Sequence, residues 1–279
     1  MDKFAISAIH DSKFHGTAHR LREGVVVVAN DHPGAGDESA TIDTESAVVS
    51  GSRTELHSDT AALVFEGVTK TYRRGGETIS ILDQADLEVR SGEIVALIGR
   101  SGSGKSTTLY LAAALDDPDS GRVAVHGAEL RPMSASARAE LRRRHVGFIF
   151  QFFYLIPSLT VLENVALPLV LDHRRGREAA MKALDSVGLS HRAAHVPSEL
   201  SGGEMQRAAI ARAMVGEPTL LLADEPTGSL DAATGERVMN QLVAASRRQG
   251  CAVLLVTHDL GVAQAADRIV RLEGGRLVQ

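Results

Sequence analysis

The feature that most constrains the fold is a glycine- and serine-rich segment that lies between an apolar run and a helical stretch. Residues 93–98 are nearly all apolar and predict a strand, and residues 105–109 predict the start of a helix. Two more continuous apolar runs occur at residues 220–223 and 252–256. Such runs are expected of strands buried on both faces. We therefore predict an α/β domain with a mostly parallel core sheet covered by helices.

The first 61 residues differ in composition from the rest of the chain. They are rich in Asp, Glu, Ser, Thr, Gly and His and contain a single apolar tetrad, at residues 25–28. We expect residues 1–61 to be a disordered extension and assign them no function. Residues 62–279 form the predicted folded domain. Between about residues 152 and 200 the strand pattern disappears and helical spacing takes its place, which predicts a helical subdomain.

The glycine-rich segment matches the P-loop pattern, in which Gly and four residues precede Gly-Lys-Ser. Its glycines allow backbone N–H groups to converge on phosphate oxygens at the positive end of a helix. Lys105 then supplies a full charge to the terminal phosphates, and the Ser106 hydroxyl is placed to ligate Mg²⁺. A turn that only caps a helix would need neither residue. The predicted nucleotide-binding residues of this segment are Gly99, Arg100, Ser101, Gly102, Ser103, Gly104, Lys105, Ser106 and Thr107.

Chemically active side chains follow the other two predicted strands. Asp224 and Glu225 come directly after residues 220–223, and His258 comes just after residues 252–256. In open α/β sheets, ligands bind at the carboxyl ends of the strands. Asp224 is the expected Mg²⁺ partner, Glu225 the base that orients or deprotonates the attacking water, and His258 a contact to the γ-phosphate. An acidic turn and a structural histidine are the alternative interpretations.

A second helix start occurs at residues 200–207, which read Leu-Ser-Gly-Gly-Glu-Met-Gln-Arg. Ser201 is the predicted N-cap, and Glu204, three residues later, completes a capping box. The exposed amides of Gly202 and Gly203 at such a helix start also form an anion site. Two anion sites in one chain require an explanation.

With this segment the chain resembles the ATP-binding cassette (ABC) ATPases over about residues 62–279. Residues 200–207 match the signature motif of that family, and the remaining motifs appear in the family's order. The resemblance implies that Tyr72 stacks on adenine, although an ordinary surface tyrosine is the alternative. It also implies that Gln151 of the Q-loop helps to hold Mg²⁺ and that Asp231 of the D-loop contributes to nucleotide binding. The implied fold is a P-loop NTPase with an antiparallel β subdomain and a helical signature subdomain.

The resemblance also implies partners. In this family two ATPase domains pair head to tail, so that the P-loop of one and the signature helix of the other enclose each ATP. A symmetric homodimer around ATP and Mg²⁺ would account for the second anion site. The implied protein is peripheral to the cytoplasmic face of the cell membrane, where it drives a separate integral membrane permease. Residues 148–157 and 160–169 look most like the branch of lipoprotein-releasing, macrolide-exporting and cell-division ATPases, which implies export or extraction.

An aromatic cluster marks the start of that branch-like segment. Five of the ten Phe and Tyr residues of the chain fall within residues 148–154. Burial in the core and exposure for docking to a permease explain this cluster equally well from sequence alone.

Charge, cysteine content and the length of the apolar runs limit what the chain can bind and where it can fold. The formal net charge of −5 and a pI near 6.1 provide no overall attraction to nucleic acid. Cys251 is the single cysteine, so the chain has no internal disulfide, and its apolar neighbours predict a buried core thiol in a reducing cytoplasm. No run of residues approaches the ~18 apolar residues of a membrane-spanning helix. Any membrane crossing is therefore expected of another chain.

Three other functions share part of this pattern. A soluble ABC ATPase with a non-transport partner would have the same ATP chemistry, but such proteins usually carry two cassettes or a long coiled-coil insertion. A P-loop kinase would not use the motif at residues 200–207. A nucleotide-binding scaffold without turnover would be expected to have lost Glu225. The transported substance is not specified by these residues.

Overall fold

A computed structural model describes residues 61–278 of the chain. The predicted disordered extension lies outside the described residues except for Ala61. The ten strands of the described part are β1 (Ala61–Arg74), β2 (Glu77–Arg90), β3 (Ile94–Ile98), β4 (Ser120–Val125), β5 (Ala128–Glu129), β6 (Val146–Ile149), β7 (Leu220–Asp224), β8 (Ala252–Thr257), β9 (Arg268–Glu273) and β10 (Arg276–Val278). Its α-helices are α1 (Lys105–Ala112), α2 (Ala135–His145), α3 (Val161–Leu171), α4 (Arg177–Ser186), α5 (Gly202–Met214), α6 (Ala232–Gln249) and α7 (Leu260–Ala263).

The main sheet has six strands in the order β10-β9-β3-β8-β7-β6. Its strands from β9 to β6 are all parallel, and β10 pairs antiparallel with β9 at the edge. The predicted α/β fold with a mostly parallel core sheet is confirmed. All five residues of β3 are buried, as expected for a strand covered on both faces.

Alternate residues of the central strands pack into two separate cores. Ile94, Ala96 and Ile98 of β3 face the core that includes residues of α3, α4, α5 and α6. Val95 and Leu97 face the opposite core, which includes α1 and the second sheet. This second sheet has four antiparallel strands in the order β2-β1-β4-β5. The antiparallel sheet that the family resemblance implied is therefore present.

The sequence predicted the three central strands to within one residue at each end. The first strand begins at Ile94 rather than Glu93, because the Glu93 N–H donates to the Arg90 carbonyl at 3.0 Å and so belongs to the turn after β2. The Glu93 carboxylate accepts hydrogen bonds from the Arg90 N–H (2.9 Å) and from Arg268 Nε of β9 (2.8 Å). The other two strands continue to Asp224 and Thr257.

Residues 152–200 contain helices only, namely α3, α4 and two short 3₁₀ turns. Thr160 caps α3 and Glu163 closes a capping box with it, a motif that contributes about 1 kcal/mol to a helix. Helix α5, which follows this segment, packs against α3, α4, α6 and β6. Helix α1, by contrast, packs on β4, β7 and β8.

Candidate nucleotide site

The predicted phosphate loop connects β3 to α1, with Gly104 as the N-cap of the helix. Gly104 has a φ of 108°, and a Cβ at this position would lie 2.3 Å from Ile81 Cγ2. Only glycine fits both constraints. The Ser103 hydroxyl is buried and has no hydrogen-bond partner among the described residues. A buried polar atom of this kind is expected to be satisfied by something that binds in the loop.

Lys105 is the first residue of α1 and is only 8% exposed. Its ammonium donates hydrogen bonds to the carbonyls of Gly99 (2.9 Å) and Arg100 (3.0 Å), so that it lies within the curve of the loop. A cation is unfavourable at a helix N-terminus because the helix dipole is positive there. A bound anion would remove this conflict, which supports phosphate binding at the loop.

Asp224 ends β7 next to the phosphate loop. Burial raises the pKa of its carboxyl above the ordinary value, a hydrogen bond with the Ser106 hydroxyl acts in the opposite direction, and the neighbouring Glu225 raises the pKa further. The charge of Lys105 partly offsets these effects. A buried carboxyl beside a hydroxyl is a favourable ligand set for a hard cation such as Mg²⁺.

Glu225 has a left-handed backbone, with a φ of 46°, which is uncommon for a residue with a side chain. Its N–H donates to the Val256 carbonyl on β8 at 2.9 Å, which holds this conformation. One carboxylate oxygen, Oε1, lies 2.7 Å from Nδ1 of His258, and Oε2 accepts a hydrogen bond from the Thr257 hydroxyl at 3.4 Å. The backbone strain, of about 1–3 kcal/mol, is of the kind found at functional sites.

The carboxyl ends of three adjacent strands bring these groups together. In the sheet register Ile98 pairs with Thr257, and Asp224 pairs with Val256. The structure therefore places the phosphate loop, the two carboxylates and His258 at one edge of the sheet. Gln151 reaches the same region. Its Nε2 lies 3.7 Å from the point that a Cβ on Gly228 would occupy, and the Gly228 N–H donates to the Glu225 carbonyl at 3.0 Å.

Tyr72 lies on β1 with 39% of its surface exposed. Its hydroxyl donates to Asp116 Oδ2 at 2.6 Å and also hydrogen-bonds with Thr107 in the first turn of α1. The ring is therefore attached to the element that carries the phosphate loop. Sequence reasoning missed Asp116, because only the fold shows that the acidic turn after α1 lies against Tyr72.

The signature segment, residues 200–207, forms the start of α5. Ser201 caps α5 and Glu204 completes the predicted capping box: the Ser201 N–H and hydroxyl both donate to Glu204 Oε2 at 2.8 Å. A Cβ on Gly203 would lie 2.6 Å from Thr234 Cγ2, so that glycine permits close contact with the first turn of α6. Asp231 caps that helix by accepting from the Thr234 N–H at 3.0 Å. The signature and D-loop residues thus meet each other, on elements different from those that pack around α1.

Glu204 has a pKa lowered to about 2, because the Ser201 backbone and hydroxyl donate to it and Arg192 pairs with it at 2.9 Å. The ionised form therefore stabilises the fold; its contribution is complete above the ordinary Glu pKa of about 4.3 and is lost as pH falls towards about 2.

We expect Glu204→Gln to lower the thermal unfolding midpoint at pH 7, and the difference from wild type to shrink below about pH 4. Glu236→Gln, on the exposed face of α6, is the control. A pH-independent difference would contradict this assignment.

Comparison with known proteins identifies the family. The family model described as ABC transporter matches residues 82–228, more than half of the 279-residue chain. The lipoprotein-releasing system ATP-binding protein LolD of Pseudomonas syringae pv. tomato is 47% identical over 225 residues, which cover 80% of this chain and 99% of that protein. The chain belongs to the ABC transporter family. The protein of the same name from Cereibacter sphaeroides is 50% identical over 221 residues, with 77% of this chain and 98% of that protein covered.

Solved structures agree with this assignment. The ATP-binding cassette MJ0796, in a dimeric post-hydrolysis state bound to ADP and Pi, is similar to this chain with a TM-score of 0.72 and 40% identity. The match covers 78% of this chain and 97% of that cassette. The chain is thus an ATP-binding and ATP-hydrolysing subunit of an ABC transporter, as the resemblance predicted.

Proposed function

We propose that this ABC ATPase forms a head-to-tail homodimer around two Mg-ATP molecules and drives a separate integral membrane permease, which releases lipoproteins from the membrane. The observation that supports the dimer is that two helix starts suited to anions, those of α1 and α5, lie on differently packed elements of one chain. One chain then supplies Lys105 and Asp224 to a nucleotide, and the second copy supplies Ser201, Gly202 and Gly203.

The residues of the phosphate loop fit an Mg-ATP molecule. Backbone N–H groups of Arg100, Ser101 and Gly102 are proposed to cradle the phosphates together with those of the loop's remaining residues, and Lys105 to pair with the terminal phosphates. Ser106 and Asp224, joined by a hydrogen bond, are proposed to hold Mg²⁺ with help from Gln151. Few protein ligands are needed, since Mg²⁺ in such sites keeps several waters and binds the phosphates, whose charge it neutralises.

Glu225 is proposed to hold the attacking water and accept its proton. Its carboxylate is 14% exposed and is fixed by His258 and Thr257, so that it stays in one orientation. Because Nδ1 of His258 contacts Glu225, Nε2 is the ring nitrogen proposed to contact the γ-phosphate. Tyr72 is proposed to stack on adenine, and Asp231 to order the D-loop next to the signature helix of its own chain.

A rigid apolar loop, residues 152–160, is the proposed contact with the permease. Arg212 of α5 donates to the carbonyls of Phe153 and Tyr154. The buried Asn164 side chain accepts from the Ile156 N–H at 2.7 Å and donates to three carbonyls of the same loop. The backbone is therefore fixed, whereas Phe152 and Tyr154 are 62% and 64% exposed. Exposed apolar side chains on a fixed backbone are typical of an interaction site.

Changing this loop tests the proposal. We expect the double variant Phe152→Ser, Tyr154→Ser to keep basal ATPase activity, because both side chains are mostly exposed and neither is among the proposed nucleotide ligands. The variant should lose most of its stimulation by the permease in proteoliposomes. Val278→Ser, which removes a 48%-exposed apolar side chain from β10, is the matched control. The permease would be the integral membrane protein of the neighbouring reading frame. Full stimulation of the loop variant would count against docking at this surface.

The names of the relatives support the proposed substrate and location. They are named as ATP-binding proteins of lipoprotein-releasing systems, and the match covers nearly their whole length. Within residues 61–278, no helix is long and apolar enough to span a bilayer. The names of these relatives support the proposal that the protein lies at the cytoplasmic face of the cell membrane, attached through its permease. The same reconstituted assay, with a lipoprotein in the vesicles, tests this assignment: ATP-dependent release of lipoprotein is expected.

A further inference from the structure

An acidic turn after α1 is attached to three successive residues of β1. Asp116 bonds with both Lys70 and Tyr72, and Asp119 accepts hydrogen bonds from the Thr71 N–H (2.7 Å) and hydroxyl (2.8 Å). The Asp119 N–H in turn donates to the Thr69 carbonyl at 2.9 Å. The strand that carries Tyr72 is therefore fixed to the end of the helix that begins at the phosphate loop.

Lys70 is the most enclosed member of this group, with only 9% of its side chain exposed. Its ammonium donates to Asp116 Oδ1 and to the Asp117 carbonyl, both at 2.7 Å. The same ammonium lies 5.0 Å from the centre of the Tyr72 ring, within the range of a cation–π contact. One side of the ring is therefore occupied by Lys70, and a ligand base must approach from the other side.

Asp116 connects the two residues. Its Oδ1 accepts from Lys70 and its Oδ2 accepts from the Tyr72 hydroxyl at 2.6 Å. Burial alone would raise the pKa of this carboxyl, but the hydrogen bonds from Lys70 and Tyr72 bring the pKa below its ordinary value. The carboxylate therefore remains charged and keeps both bonds at neutral pH. Burial and the bond to Asp116 also raise the pKa of Tyr72 to about 12, so that the phenol remains a donor.

We propose that Lys70 and Asp116 are positioning residues for the nucleotide base, which hold the Tyr72 ring in one orientation with one face closed by Lys70. This inference rests on the proposed role of Tyr72 in stacking on adenine. Preorganisation of an aromatic ring reduces the ordering cost of ligand binding. The Tyr72 hydroxyl, rather than only its ring, therefore contributes to ATP affinity, and it does so through Asp116.

The test compares ATP with inorganic tripolyphosphate, which has no base, by calorimetric titration of the full-length chain. Tyr72→Phe keeps the ring and loses the bonds to Asp116 and Thr107. Asp116→Asn weakens both of the Asp116 contacts. We expect each variant to raise the Kd for ATP about three- to tenfold and to leave the Kd for tripolyphosphate unchanged.

The double variant provides the sharper measurement. If the hydroxyl acts through Asp116, the two substitutions should not have additive effects. The Kd for ATP of the double variant Tyr72→Phe, Asp116→Asn should then be at most about twice the higher of the two single-variant Kd values. Asp117→Asn is the matched control, since the Asp117 side chain pairs with Arg138 at 2.6 Å and touches neither Tyr72 nor Lys70. Additive losses, or an equal loss of tripolyphosphate affinity, would overturn the proposal.

If Tyr72 does not stack on adenine, the binding measurements give a different result. Tyr72→Ala should raise the Kd for ATP by roughly five- to a hundredfold, since stacking of a base contributes about 1–3 kcal/mol. An unchanged ATP affinity in Tyr72→Ala would mean that Tyr72 does not contact adenine. A loss in Tyr72→Ala without any loss in Tyr72→Phe would keep the adenine contact and reject only the positioning by Lys70 and Asp116.

Discussion

Replacing Lys105 with alanine is expected to reduce ATP hydrolysis by about 10²–10³-fold and to weaken nucleotide binding, because one preorganised cation at the transferring phosphate contributes on this scale. The side chain is 8% exposed, and within residues 61–278 its ammonium donates hydrogen bonds to the carbonyls of Gly99 and Arg100, so no surface function competes with this role. Steady-state phosphate release and calorimetric titration with ATP measure the two effects.

The control for this variant is Lys182→Ala on α4. Lys182 is exposed and forms a 2.8 Å ion pair with Glu178, so its loss should change neither activity nor binding. The thermal unfolding midpoint of Lys105→Ala should be compared with that of wild type to show that the fold persists. Wild-type turnover by a folded Lys105→Ala variant would rule out the phosphate loop as the catalytic site.

Glu225→Gln is expected to slow hydrolysis by roughly 10²–10⁴-fold, the range for loss of a general base. The amide keeps the size of the side chain and its contact with His258, whereas it cannot accept a proton from water. ATP should therefore remain bound, and an ATP-dependent dimer should accumulate on size-exclusion chromatography.

Glu273→Gln provides the comparison, since it changes another carboxylate at the carboxyl end of a parallel strand, β9, and lies exposed. Its turnover should stay within about twofold of wild type. A Glu225→Gln protein that hydrolyses ATP normally would remove Glu225 from the proposed chemistry. One that is inactive but monomeric with excess ATP would contradict the head-to-tail pairing instead.

The parts of the fold that the sequence predicted depend on local patterns. The run at residues 252–256 is apolar throughout because β8 is buried on both faces, and this leaves little choice of strand position. The capping box of Ser201 and Glu204 spans three residues, so it could be read directly from the chain. The family was accessible for the same reason: each of its motifs is a short contiguous segment.

Contacts between residues far apart in the chain could not be predicted from local sequence patterns. Tyr72 and Asp116 are 44 positions apart, and their bond follows only from the position of β1 beside the end of α1. The left-handed backbone of Glu225 is imposed by β8, which no residue near Glu225 indicates. The aromatic cluster was ambiguous because its members have both environments. Phe148 and Phe150 stack with centroids 4.2 Å apart, and Tyr154 meets Phe150 edge-on at 5.1 Å, yet Tyr154 and Phe152 remain largely exposed.

The position of β8 between β3 and β7 has a consequence for biosynthesis. The phosphate loop follows β3 and the carboxylates lie at the end of β7. In the sheet β3 and β7 do not pair with each other, and β8, which pairs with both, is translated after them. A nascent polypeptide that still lacks residues 252–257 has no strand to pair between β3 and β7. Competence to consume ATP is thus acquired only after residues 252–257 have been translated and have paired between the two earlier strands.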